Sequence, residues 1–124
     1  MTPYGSTAVP GSATPACGLP ELWQAEWCPH SQRVRNRLTE LGVDFVARQV
    51  PADRECRAEL MELTGCETVP VLVTPDSETI RGTDAILDWL ETHYAEGSDA
   101  AAHRRKAIEK HQELLDRECN CNAA

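Results

Sequence analysis

Val69-Pro70-Val71-Leu72-Val73 is a nearly continuous apolar run, and a strand without a polar face belongs at the centre of a sheet. Such a strand needs partners on both edges and cover on both faces. The segments around it supply these in a definite order. A short strand is expected over Glu21–Ala25, carrying Leu22 and Trp23. A helix follows from about Pro29 to Leu41, with Val34, Leu38 and Leu41 on one face. Pro29 suits the first helical position, where its missing N–H costs nothing, and Gly42 ends the helix. Asp44–Val50, with Phe45 and Val46, reads as the next strand, stopped by Pro51. Asp53 is then the expected N-cap of a second helix to about Thr64, with Cys56, Leu60 and Leu63 on its buried face and Gly65 closing it. Beyond the central run, a turn at Thr74–Ser77 leads to a strand at Glu78–Arg81, close enough for a hairpin. Thr83 is expected to cap a third helix, with Ile86, Leu87, Leu90 and Tyr94 at helical spacing.

The order is therefore β-α-β-α-β-β-α. A strand-helix-strand beginning implies a right-handed crossover and a parallel pair, and the hairpin adds an antiparallel edge. The expected architecture is an α/β domain: a four-stranded mixed sheet with helices on both faces, spanning residues 20–96. Residues 1–19 hold Pro3, Gly5, Pro10, Gly11, Pro15 and Gly18 without apolar periodicity and read as a disordered arm. Residues 97–124 read as one more helix, over 100–117, and a flexible cysteine-containing tail. Its apolar stripe is thin: Ala107, Ile108, Leu114 and Leu115. His103-Arg104-Arg105-Lys106 reads as a solvated helix face.

Charge narrows the function. Twelve basic and 20 acidic residues give a formal charge of -8, the wrong sign for nucleic acid. No run of about 20 apolar residues suggests a membrane span, and the first residues lack the basic start and apolar stretch of a signal peptide. The expected location is cytoplasmic. There the six cysteines, at positions 17, 28, 56, 66, 119 and 121, are more often inert, catalytic or metal-bound than disulfide-paired.

Cys28 stands where a thiol is most easily ionised. It directly precedes a helix, so unpaired N–H groups and the positive end of the helix dipole point toward its sulfur. Ser31, three residues on, faces the same side and can donate to a thiolate, and His30 adds a possible positive charge.

Three separated motifs carry a resemblance over about residues 20–95. Trp27-Cys28-Pro29-His30-Ser31, Thr68-Val69-Pro70 and Gly82-Thr83-Asp84 are similar, in order and spacing, to motifs of the glutaredoxin family and of the related N-terminal domain of glutathione transferases. The resemblance implies a thioredoxin-like fold, Cys28 and Ser31 as catalytic residues, and glutathione as co-substrate with no metal. It implies a cis bond before Pro70, with the Val69 main chain pairing with the ligand, and Thr83 and Asp84 holding the γ-glutamyl group at a helix start. Pro29, His30 and Arg33 complete the expected binding surface. The expected partners are a low-molecular-weight thiol and glutathionylated substrates, and the expected state is a monomer or weak homodimer.

The chain also departs from that pattern. Ser31 replaces a second active-site cysteine, so the motif supports a monothiol cycle and not a dithiol one. Where the family often has lysine, three residues before the nucleophile, this chain has Ala25, followed by Glu26, whose charge opposes a thiolate. Arg33 is the expected replacement cation. These departures favour an alternative, a glutathione-binding sensor or adaptor without turnover. A glutathione transferase is expected to need a second, helical domain of roughly a hundred further residues. Cys119-x-Cys121, with Cys17, can chelate, resolve Cys28 or go unused. Cys66 is expected in the loop entering the central strand, and Cys56 in the core.

Overall fold

The computed structural model describes residues 18–123, with positions 118–123 given by backbone alone. The segment expected to be a disordered arm lies, apart from residues 18 and 19, outside the described residues. Four strands form one sheet in the order β2-β1-β3-β4: β1 (Glu21–Gln24), β2 (Val46–Gln49), β3 (Val71–Val73) and β4 (Thr79–Arg81). β1 runs parallel to β2, with Leu22 opposite Ala47, and antiparallel to β3, with Leu22 opposite Leu72. β3 and β4 are the expected antiparallel hairpin. The sheet is mixed and its apolar strand is internal, as the unbroken run of valines and leucine required.

Helices cover both faces. Leu22 and Leu72 point to the side of α1 (Pro29–Glu40) and α3 (Thr83–His93), packing with Val34, Leu38, Leu41, Ile86 and Leu90. Trp23, Val71 and Val73 point the other way, onto Leu60 of α2 (Ala58–Thr64). The period of two in β1 and β3 thus feeds two separate cores. Gly42 and Gly65, at φ of +70° and +78°, end α1 and α2 in the left-handed conformation that glycine adopts without penalty.

The second helix differs from its expected form. Asp53 makes no side-chain cap; Arg54–Cys56 form a 3₁₀ turn, and Arg57, at φ −93° and ψ 59°, breaks the run before α2 begins. The reason is a buried guanidinium. Arg57 donates to the carbonyls of Pro51 (2.8 Å), Ala52 (3.1 Å) and Glu67 (2.8 Å), joining two loops that lack regular partners. The break also turns Cys56 outward: it is exposed, not core.

The last helix, α4 (Ala100–Ala123), continues beyond the expected end at 117. Ala100 is buried and the first turn docks. Arg104, exposed on the expected solvated face, is also part of an ionic clamp across three helices. Arg37 of α1 bonds Glu91 of α3 (2.6 Å), Glu40 (2.7 Å) and Glu96 (2.7 Å), while Arg104 reaches Glu96 (2.8 Å) and Glu40 (3.1 Å). Arg104 and Arg37 together hold Glu96 down to about 2. Ala107, Ile108, Leu114 and Leu115 are exposed. Among the described residues no helix is long and apolar enough to cross a membrane.

Replacing Arg57 by Ala removes three charge-assisted hydrogen bonds and opens a buried site. We expect it to destabilise the domain by about 2–4 kcal/mol in urea unfolding, with Arg57→Lys recovering only part.

Candidate functional site

Strand directions decide where the three motifs meet. The C-terminal ends of β1 and β4 and the start of β3 lie at one edge of the sheet, because β3 is antiparallel to both neighbours. The register Trp23↔Val71, continued, carries Gln24 and Ala25 toward Pro70 and Val69. The Val69–Pro70 bond is cis, as the resemblance implies. Gly82 N–H donates to the Pro70 carbonyl (3.3 Å), tying the proline loop to the start of α3. The segments of all three motifs therefore reach a single edge.

Cys28 is the N-cap of α1, with extended φ −79° and ψ 122° and Pro29 directly after it. Its N–H donates to Ala25 O (3.1 Å) and its carbonyl accepts from Gln32 N–H (3.0 Å), so the main chain turns sharply and then enters the helix. Ser31 is fully buried beneath it. The Ser31 Oγ accepts from Ala25 N–H (3.4 Å), which leaves its own proton for the sulfur. Burial pushes the Cys28 thiol up. The Ser31 N–H and hydroxyl, the His30 N–H and the Arg35 charge outweigh that, and the net result is a thiol below its ordinary value. The unpaired donors of a helix N-terminus supply much of this effect.

A second arginine, Arg35, carries a charge that favours the Cys28 thiolate. Arg33 is exposed on α1, whereas Arg35 bonds the Gln24 side chain and the Glu26 carbonyl (3.3 Å). Spacing held the signal: residues 28, 31 and 35 fall on one helical face. Pro29, His30 and Asp84 are exposed, Val69 and Thr83 half-buried, and Pro70 buried. Thr83 does not cap α3; Gly82 holds the cap position, at φ +94°, and Thr83 is the first helical residue. Asp84 stands in the first turn of α3, where the dipole favours a negative charge.

Cys66 is a second ionisable thiol. The Thr64 hydroxyl (3.4 Å) and the Thr68 hydroxyl (3.5 Å) flank its sulfur. With help from the Thr68 N–H and Arg81, they draw it from its ordinary 9.0 to about 7 against the effect of burial. A hydroxyl has one proton to give. Thr64 Oγ1 has the Leu60 carbonyl (3.0 Å), the Cys66 carbonyl (3.1 Å) and the sulfur within reach, so donating to a thiolate means releasing the carbonyls. The Thr64-x-Cys66-x-Thr68 spacing was the overlooked signal. Cys17 lies outside the described residues, as do the side chains of Cys119 and Cys121. Among the described residues, no group of three or more His, Cys, Asp or Glu could hold a metal ion. Two concavities, of about 550 Å³ beside Val43 and Phe45 and about 160 Å³ between Trp23, Val50 and Leu60, are lined by none of Cys28, Pro70 or Asp84.

A four-stranded mixed sheet with a cysteine capping the first helix and a cis-proline facing it defines a thioredoxin-like protein. Residues 27–93 match the family model of the glutathione S-transferase N-terminal domain. The chain belongs to that family. No curated protein sequence matches it. Among solved structures it is similar to a trimeric glutathione transferase, TDR1 of Leishmania (22% identity, TM-score 0.59), over 65% of this chain and 18% of that one. It is also similar to glutaredoxin 2 of Salmonella typhimurium in complex with glutathione (17%, TM-score 0.54), over 60% of this chain and 33% of that one. A glutathione S-transferase of Rhodospirillum rubrum F11 (26%, TM-score 0.55) matches over 70% and 42%. The chain thus spans less than half the length of each of these structures.

Two outcomes test the thiol chemistry. Ser31→Ala removes a donor from the thiolate and should slow Cys28 alkylation by iodoacetamide at pH 7 about three- to tenfold, read by peptide mass spectrometry. Cys66 labelling should reach half its maximal rate near pH 7, and Thr68→Val should move that midpoint upward. Because the folded value lies below the ordinary one, the associated stability is full above pH 9.0 and lost as pH falls through about 7.

Proposed function

We propose that the chain is a monothiol, glutathione-dependent thiol-disulfide oxidoreductase that acts on glutathione mixed disulfides through Cys28. The observation that carries this is the Cys28 sulfur at the N-terminus of α1, with the Ser31 hydroxyl free to donate to it. The Cys28 thiolate attacks the glutathione sulfur of a mixed disulfide. The Cys28–glutathione bond forms, the substrate's disulfide breaks, and the substrate leaves as a thiolate that takes a proton. A second glutathione thiolate then attacks the glutathione sulfur bound to Cys28, releasing glutathione disulfide and restoring the Cys28 thiolate. No second protein thiol is needed, which suits Ser31 in place of a cysteine.

The remaining motif residues form the binding side of this reading. The Val69 main chain beside Pro70 pairs with the peptide-like middle of glutathione. The α3 start, with Thr83 and Asp84, receives the γ-glutamyl end: free N–H groups suit its carboxylate, and the Asp84 carboxylate its ammonium. Pro29, His30 and Arg33 border the same surface on α1. A reducing, cytoplasmic setting suits the free thiols.

A second reading, a glutathione-binding sensor or adaptor without turnover, is favoured by one contact. Glu26 lies 3.5 Å from Arg35 and offsets part of the charge that favours the thiolate.

Glutathione-dependent reduction of the mixed disulfide of glutathione and 2-mercaptoethanol separates the two. The native chain should turn over, and Cys28→Ser should lose at least about 100-fold. No turnover in either protein, with glutathione still protecting Cys28 from alkylation, would replace the first reading by the second. Undiminished turnover in Cys28→Ser would overturn both.

A further inference from the structure

Gln24 is an unexpected residue to find in this core. It follows Leu22 on the α1 face of the sheet and is 1% exposed. A buried primary amide is destabilising unless its donors and acceptor are satisfied. Here both ends are engaged. Its Nε2 donates to Gln49 Oε1 (3.1 Å) directly across the parallel β1–β2 pair. Its Oε1 accepts from Arg35 Nη1. The other arm of the guanidinium, Nη2, donates to the Glu26 carbonyl (3.3 Å) and lies 3.5 Å from the Glu26 carboxylate. Four residues from β2, β1, α1 and the turn before Cys28 thus form one continuous polar chain.

We propose that Gln49, Gln24, Arg35 and Glu26 form a relay that positions a permanent positive charge behind the nucleophile, with Arg35 as the positioning residue and exposed Glu26 as its damper. The two arms of the fork differ in kind. Gln24, 1% exposed, holds one arm in a dry, fixed place, and is itself held by Gln49, which is exposed on β2. Glu26, with a carboxylate 76% exposed, is solvated and screened by salt, so its charge cancels only part of that of Arg35. Arginine is suited to this role because it stays charged at all working pH and its planar fork binds two partners at once. A lysine can supply the charge but not both bonds.

Several other charged or ionisable groups belong to the segments at this edge. They are His30 and Arg33 on α1, Cys66 and Glu67 before β3, Arg81 on β4, and Asp84 on α3. Arg35 differs from them in being fixed against the turn before Cys28 through the Glu26 carbonyl (3.3 Å), and its charge favours the Cys28 thiolate. The relay accounts for how the chain keeps an activated cysteine with Ala25 before it and Glu26 beside it. It deepens the proposed reaction and rests on that reading for its purpose, but not for its test.

The test is the pH profile of Cys28 alkylation, resolved by peptide mass spectrometry, in the full chain. Glu26→Gln removes the damper and should shift the profile to lower pH, raising the rate at pH 7 about two- to fivefold. Arg35→Met should shift it the opposite way by a similar factor, and Arg35→Lys should restore part of the change. Gln24→Met, which frees the fork while leaving the charge, should fall between native and Arg35→Met. Unfolding midpoints measured alongside separate a structural role from a positioning one. If Arg35→Met lowers the midpoint while its Cys28 profile stays with the native one, Arg35 is only a staple and the relay is overturned. An unmoved profile in Glu26→Gln, an exposed change that folds, overturns it equally. A native chain without turnover whose profiles shift as expected would reject the proposed reaction and leave the relay standing.

Discussion

Core and site both depend on the pairing of β1 with β3. Leu22 opposite Leu72 joins the core beneath α1 and α3, while Trp23 opposite Val71 joins the one beneath α2. Because the pair is antiparallel, the chain leaving β1 meets the chain entering β3. The same hydrogen-bonded ladder that fills the core therefore sets the Cys28 turn against the cis-proline loop. A one-residue slip would exchange the two faces, moving Glu21, already buried on the other face, to where Leu22 now packs. Core and site are specified together.

Around that ladder the fold uses charged groups as fasteners where apolar area is thin. Only 5% of the residues are aromatic, and the loops flanking α2 are joined by Arg57 through three carbonyls. α4 is held by the Arg37–Glu91–Glu96–Arg104 clamp more than by its stripe, since Ile108, Leu114 and Leu115 remain exposed. Arginine serves in each case because one fork meets several acceptors. Arg35 repeats the device next to the nucleophile. There the fork does more than hold segments together: it decides where a positive charge stands.

The two described thiols with lowered values show two ways to stabilise the same anion. Cys28 uses the open N–H groups of a helix start and a buried hydroxyl. Cys66 uses two threonine hydroxyls and an arginine in a loop. The first environment is written in a strand-to-helix junction with proline after the cysteine. The second depends on how residues 64–68 curl after Gly65, and on β4 bringing Arg81 alongside.

Periodicity and breakers in the sequence were enough to order the elements, to make β3 internal and to place Cys28 at a helix start. Those features are local: a period of two, a period of 3.6, glycine after a helix, proline at its first turn. The thiolate-favouring role of Ser31 was legible for the same reason, three residues being one turn. What the sequence could not decide were the choices made by burial and by partners distant in the chain. Arg57 breaks the second helix because carbonyls at 51, 52 and 67 converge on it, and that break turns Cys56 outward. Arg35 stands against the turn before Cys28 because Gln24, from a neighbouring strand, anchors it. Gly82 rather than Thr83 caps α3 where its N–H meets Pro70. Each outcome hangs on a hydrogen bond between segments that only the folded sheet brings together.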